Sequence, residues 1–83
     1  MITVHALFFA LYRERVGSKA ADLELPDRAT VVDAVREVTR RWPRFSPDPA
    51  KVVVAVNREY QGHAHPLKKG DEVAFIPPVS GGA

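Results

Sequence analysis

One stretch of the sequence constrains the fold more than any other: "TVVDAVREVTRRWP", residues 30–43. Val31, Val35, Val38 and Trp42 recur at i, i+4, i+7 and i+11, which places them on one stripe of a helix. Arg36, Glu37, Arg40 and Arg41 fall off that stripe. Thr30 is placed to cap the N-terminus, with Asp33 at the third helical position in a weaker form of the capping box. Arg40 and Arg41 suit the negative end of the helix dipole, and Pro43 disfavours continuation past Trp42. The rest of the chain is strand-like, so a single main helix has to serve a whole sheet.

The strands read from period-two alternation. In "ITVHALFF", Ile2, Val4, Ala6 and Phe8 share one face, while Thr3, His5, Leu7 and Phe9 share the other. "ALYRERVG" follows as one or two helical turns, with Gly17 placed to end them in the left-handed conformation. "ADLELP" puts Leu23 and Leu25 on one face, and Pro26 closes it. "RFSPDPA" is a loop. "KVVVAVN" is a β-branched run with Val52, Val54 and Val56 on one side. "NREYQGHAHPLKKGD" is turn-rich, with a very short strand around Tyr60. "EVAFI" is the last strand, and Pro77 and Pro78 lack the amide donors to extend it.

One helix cannot cover both faces of a four- or five-stranded sheet, so the economical packing leaves one face bare. This order of elements predicts an α+β domain of the β-grasp, ubiquitin-like class: a mixed sheet on one main helix. Residues 1–76 form that domain and 77–83 an extended C-terminal tail. At 83 residues the chain has room for one domain, and with no cysteine it has neither disulfides nor thiolate metal ligands. Apolar packing has to hold it, and 46% hydrophobic residues permit that. A formal net charge of +2 is too mild to imply nucleic acid. No segment approaches a membrane span of about 18 apolar residues. The start lacks a basic region and a cleavage site, which makes a cytoplasmic location the expectation.

No independent active site can be assembled from the remaining residues. His63 and His65 offer two imidazoles where structural zinc wants about four ligands. They are expected in a solvated loop, and no metal site is predicted. Arg40, Arg41, Arg44 and Lys51 read as solvation of a helix end, Lys68 and Lys69 as turn residues before Gly70, and Trp42 as core.

The residues "VHALFFALYRERVG", "VVVAVNREY" and "HPLKKGDEVAFIPPVSGG" resemble the small-subunit family of molybdopterin synthase, sulfur carriers with a ubiquitin-like fold. Residues 18–50 agree mainly in pattern. The resemblance implies that a C-terminal glycine carboxylate is adenylated by a ubiquitin-activating-like, ATP-dependent adenylyltransferase and then converted to a thiocarboxylate with a sulfur-donor enzyme. It also implies insertion of the tail into a large subunit, where sulfur passes to cyclic pyranopterin monophosphate to build the dithiolene of molybdopterin. No cofactor is bound by the carrier itself; ATP is consumed by the activating enzyme. No nucleic acid or membrane partner is implied.

On this reading Gly82 is the reacting terminus, and Pro77, Pro78, Val79, Ser80 and Gly81 form the inserted arm. Residues 77–82, fully extended, reach about 20 Å at roughly 3.3 Å per residue. Glycines fit a narrow channel, and the two prolines reduce the entropy lost on threading. Ala83 departs from the family pattern: while it is attached, the Gly82 carbonyl is an amide. Its prior removal is the favoured expectation, with use of the alanine carboxylate and an inert tail as the alternatives. Phe9 and Ile76, with Tyr60, are expected to form an exposed apolar patch at the root of the tail and to dock the partner. The alternative is that the Pro43–Ala50 loop covers them. "PPVS" and "VNREY…HPL" favour the molybdopterin branch over carriers for thiamine, tRNA thiolation or protein tagging. A plain β-grasp interaction module with an unused tail is the rival of another class.

Overall fold

A computed structural model describes residues 1–77. Strand β1 (Ile2–Phe8) leads into the short helix α1 (Ala10–Val16), and β2 (Ala20–Leu25) returns antiparallel to β1. Helix α2 (Val31–Arg41) follows. After a 3₁₀ turn (Pro49–Lys51) come β3 (Val53–Val56), β4 (Glu59–Gln61) and β5 (Glu72–Ile76). The five-stranded sheet has the order β2-β1-β5-β3-β4. β5 lies parallel to β1 and antiparallel to β3, so the last strand is central and the chain leaves the sheet from its middle. This is the expected β-grasp.

Alternation determines what is buried. Val4, Ala6 and Phe8 of β1, Leu23 and Leu25 of β2, Val54 and Val56 of β3, and Val73 and Phe75 of β5 face α2 and are buried. Val31, Ala34, Val35 and Val38 of α2 meet them, and no polar or charged side chain is buried among the described residues. Trp42, expected in the core, is half-buried at its rim. Its ring meets Phe8 edge-on at 5.6 Å, and the Arg41 guanidinium covers it at 4.4 Å.

The loop after α2 differs most from expectation. Phe45 is fully buried, edge-on to Phe75 at 5.6 Å and 4.3 Å from the Tyr12 ring. The loop therefore closes the core beneath the helix-covered face of the sheet.

Helix ends explain several polar residues. The Thr30 amide donates to Asp33 Oδ2 at 2.8 Å. The next two amides are capped by backbone: Val31 N–H donates to the His65 carbonyl and Val32 N–H to the His63 carbonyl, both at 3.0 Å. His63 Nε2–H donates to the Val52 carbonyl at 2.7 Å. The "HAH" segment is thus a half-buried cap for α2 rather than a solvated loop. Arg40 and Arg41 also do more than solvate a helix end. Arg40 grips Glu37 through two bonds of 2.8 and 2.6 Å, and Arg41 donates to the Asp22 carbonyl at 2.9 Å. Gly17 takes φ 81° and caps α1 through its amide to the Arg13 carbonyl. Gly70, at φ 85°, makes the Lys68–Asp71 turn.

Candidate functional site

The bare face of the sheet carries a trough of about 380 Å³. The strand register builds it. Leu7 pairs with Ala74, Ala74 with Ala55, and Ala55 with Tyr60, a row running across four strands. Two alanines in the middle keep the floor low, while Leu7 and Tyr60 raise the walls. Alternation decides which way they point: the odd-numbered Val73 and Phe75 go to the core, so Ala74 and Ile76 go out. The trough follows β5 from Glu72 through Ala74 to Ile76, and so ends where the chain leaves the sheet.

Phe9, Tyr60 and Ile76 all line this trough. Phe9 is 47% and Tyr60 73% exposed, high values for aromatic side chains. The Pro43–Ala50 loop does not line it. Leu7, Ala55, Ala74 and Arg58 also belong to the site and were not singled out from the sequence. The two alanines were the available signal, as small residues at outward positions of otherwise bulky strands.

Arg58 sits at the far wall in an unusual conformation. Asn57 and Arg58 form the two-residue turn between β3 and β4 with φ of 51° and 72°, both left-handed. Such hairpin turns favour Asn followed by Gly. Arginine at the second position places a cation on the rim, 3.9 Å from a Glu72 carboxylate oxygen. Asn57 stabilises the turn by donating to Asp71 at 3.0 Å and accepting from the Glu72 amide at 3.0 Å.

Pro77 is half-buried beside Leu11 and Tyr12, on the other side of β5 from the trough. Pro78, Val79, Ser80, Gly81, Gly82 and Ala83, where the sequence places the reactive arm, lie outside the described residues. Among the described residues, no group of three or more metal-ligating side chains comes together, and no helix is long and apolar enough to cross a membrane.

These features define a small β-grasp protein with one bare, apolar-walled sheet face and a chain end issuing from its central strand. The ThiS family model matches residues 6–82, and the chain belongs to the ThiS family. It is 38% identical over 81 residues to the molybdopterin synthase sulfur carrier subunit of Escherichia coli K12, covering 95% of this chain and 99% of that one. The human protein of the same name is 30% identical over 82 residues, with 95% and 93% covered. Among solved structures, a putative molybdopterin converting factor subunit 1 from Pyrococcus furiosus superposes with a TM-score of 0.86 at 32% identity, covering 95% and 100%. Small archaeal modifier protein 1 of Haloferax volcanii gives 0.85 at 25% identity, covering 95% and 100%.

Proposed function

We propose that this chain is the sulfur carrier subunit of a molybdopterin synthase, bringing sulfur on its C-terminal glycine to a pterin precursor held by a large subunit. The observation that carries this reading is the extent of the family match. It runs to residue 82, so the Gly-Gly pair lies within it, beyond a strand whose outward residues line the trough. The curated relatives are named as subunits, which fits a protein that works inside a larger assembly.

The chemistry explains why a protein without cysteine can carry sulfur. A carboxylate is a poor acyl electrophile because its charge repels nucleophiles. Attack of the Gly82 carboxylate on the α-phosphorus of ATP, in a partner adenylyltransferase, gives an acyl-adenylate and releases pyrophosphate. A hydrosulfide equivalent from a sulfur-donor enzyme then displaces AMP with loss of a proton, leaving a thiocarboxylate. The thiocarboxylate sulfur bonds to cyclic pyranopterin monophosphate, and water then cleaves the acyl–sulfur bond, leaving the sulfur on the pterin and regenerating the Gly82 carboxylate. The carrier supplies the acyl group; the partners supply the catalysis. Ala83 is removed first, because an amide cannot be adenylated.

The trough is the proposed seat of the large subunit, with Phe9, Tyr60 and Ile76 as its apolar contacts and the arm of Pro77, Pro78, Val79, Ser80 and Gly81 reaching past it. Lasting subunit interfaces are the more hydrophobic kind.

A second reading, protein tagging, rests on the likeness to small archaeal modifier protein 1. In that case an amine would receive the acyl group. Reconstitution separates the two. The chain ending on Gly82, thiocarboxylated and mixed with the cognate large subunit, is expected to convert cyclic pyranopterin monophosphate to molybdopterin. Absence of conversion, together with carrier–protein amide adducts, would decide for tagging.

A further inference from the structure

Strand β2 is one edge of the sheet, and its register shows which backbone groups face outwards. Phe8 N–H donates to the Lys19 carbonyl at 2.9 Å, which makes that a hydrogen-bonded pair. Antiparallel pairs alternate, so Ala21, Leu23 and Leu25 also turn their backbone groups to β1, while Ala20, Asp22 and Glu24 turn theirs to the free edge. Bonds on the far side of β1 agree. His5 N–H donates to the Asp71 carbonyl at 2.8 Å, and the Thr3 carbonyl accepts from Gly70 at 2.8 Å. The opposite edge, β4, has three residues. β2 has six, and is the edge long enough to take another strand.

Two side chains reach onto this edge. Ser18 Oγ–H donates to the Ala20 carbonyl at 2.7 Å, and the same oxygen accepts the Ala20 N–H at 3.3 Å. One hydroxyl thus occupies both outward groups of Ala20. Arg41 crosses from the end of α2 and donates to the Asp22 carbonyl at 2.9 Å. Its guanidinium lies over the Trp42 ring at 4.4 Å, a contact that helps to fix it there. Space for a further strand exists beside them, in a groove of about 510 Å³ lined by Thr3, Asp22, Glu24, Glu37, Arg40 and Arg41.

We propose that Ser18 and Arg41 are guards that hold the β2 edge shut against a second copy of this chain, and that without them two copies join edge to edge into one sheet. The strand itself names the occupant. About a two-fold axis, antiparallel pairing that sets Asp22 opposite Asp22 also sets Ala20 opposite Glu24, so every residue with outward groups meets another. Each bond of that ladder uses either an Ala20 group or an Asp22 carbonyl. Ser18 takes the first and Arg41 the second, so two side chains close all of it. The guards match this ladder completely. Charge opposes it as well, because the two Asp22 side chains would face each other. The proposal is independent of the carrier reading.

The test removes both guards, Ser18→Ala with Arg41→Ala. Both side chains are exposed, so the variant is expected to fold, and thermal unfolding checks this. Sedimentation velocity over a range of concentrations is expected to give one chain for the wild type and a mass rising towards two chains for the variant. Salt should strengthen the variant's pairing by screening the facing Asp22 side chains. Adding Ala20→Pro removes an outward N–H at the first residue of the strand and no bond to β1. It should return the variant to one chain. A double variant that stays one chain overturns the proposal, and so does a wild type as paired as the variant. Association that Ala20→Pro leaves unchanged uses another surface and overturns it too. If the double variant loses its unfolding transition, Ser18→Ala alone carries the test, because Ser18 is hydrogen-bonded to Ala20 alone among the described residues. It should shift towards two chains at high concentration, and no shift overturns the proposal.

Discussion

Phe8 of β1 and Phe75 of β5 lie stacked on neighbouring parallel strands, ring centroids 5.6 Å apart at an interplanar angle of 16°. Phe45 closes over the pair from the loop after α2, edge-on to Phe75 at 86°. This cluster fixes β5 two residues before Pro77, and so sets the point at which the chain leaves the sheet.

Removing a ring from the cluster is therefore expected to cost much of the domain's stability. Phe75→Ala, and equally Phe45→Ala, should lose about 3–5 kcal/mol in urea unfolding, the usual cost of deleting a buried aromatic side chain. Phe75→Leu keeps most of the volume and should lose less than about 1.5 kcal/mol. A small effect for Phe45→Ala would contradict its place in the core.

Tyr60 gives the opposite expectation, because its side chain stands in solvent at the wall of the trough. Tyr60→Ala should leave the unfolding midpoint unchanged. It should weaken binding to the large subunit by about tenfold or more, as truncation of an aromatic interface anchor does. Isothermal titration of wild type and variant against the large subunit reads this directly. Unaltered affinity would remove the trough from the interface.

The turn at Asn57-Arg58 predicts a gain. Arg58, at φ 72°, holds a conformation that costs a residue with a Cβ roughly 1–2 kcal/mol and glycine little. Arg58→Gly should stabilise the domain by about 0.5–1 kcal/mol after glycine's larger unfolded-state entropy is counted. A loss of stability in chemical unfolding would show that the arginine contributes more through Glu72 than its backbone costs.

How far the sequence could be read follows from where its signals lie. The stripe Val31-Val35-Val38 and the alternation in β1, β3 and β5 are periodic, and periodicity specifies which faces are buried; those elements stand where the pattern puts them. Phe45 lies in a proline-rich loop with no period, so its burial depends on tertiary closure that local pattern does not encode. The helix cap from the His63 and His65 carbonyls is likewise backbone geometry, invisible in residue type. Exposure of Phe9 and Tyr60 was legible because they break the polar expectation of an outward face; Ile76, expected to be exposed with them, is half-buried. The floor of Ala55 and Ala74 was only half legible: each shows as a small outward residue, but only the register brings the two side by side.

The Glu37–Arg40 pair predicts a pH dependence. Hydrogen bonding to Arg40 is the main cause that holds the Glu37 carboxyl below its ordinary value; burial opposes it, and the charges of Arg40 and then Arg41 lower it further. A carboxyl lowered in the folded state stabilises fully above its unfolded value and loses that contribution as pH falls through the folded one. Glu37→Gln should thus melt at a slightly lower temperature than wild type at pH 7, with the gap closing in acid below both values. The pair is on the surface, so the gap is small. A gap that persists unchanged in acid would assign it to packing instead.

The acid group of Gly82 is the proposed site that takes up and releases sulfur, and intact mass spectrometry of the protein drawn from cells actively making the cofactor reads it. The predicted result is a chain lacking Ala83, part of which is heavier by the exchange of one oxygen for one sulfur, with the added mass on the last glycine. A population that keeps Ala83, carries no sulfur and still sustains normal cofactor synthesis would contradict it.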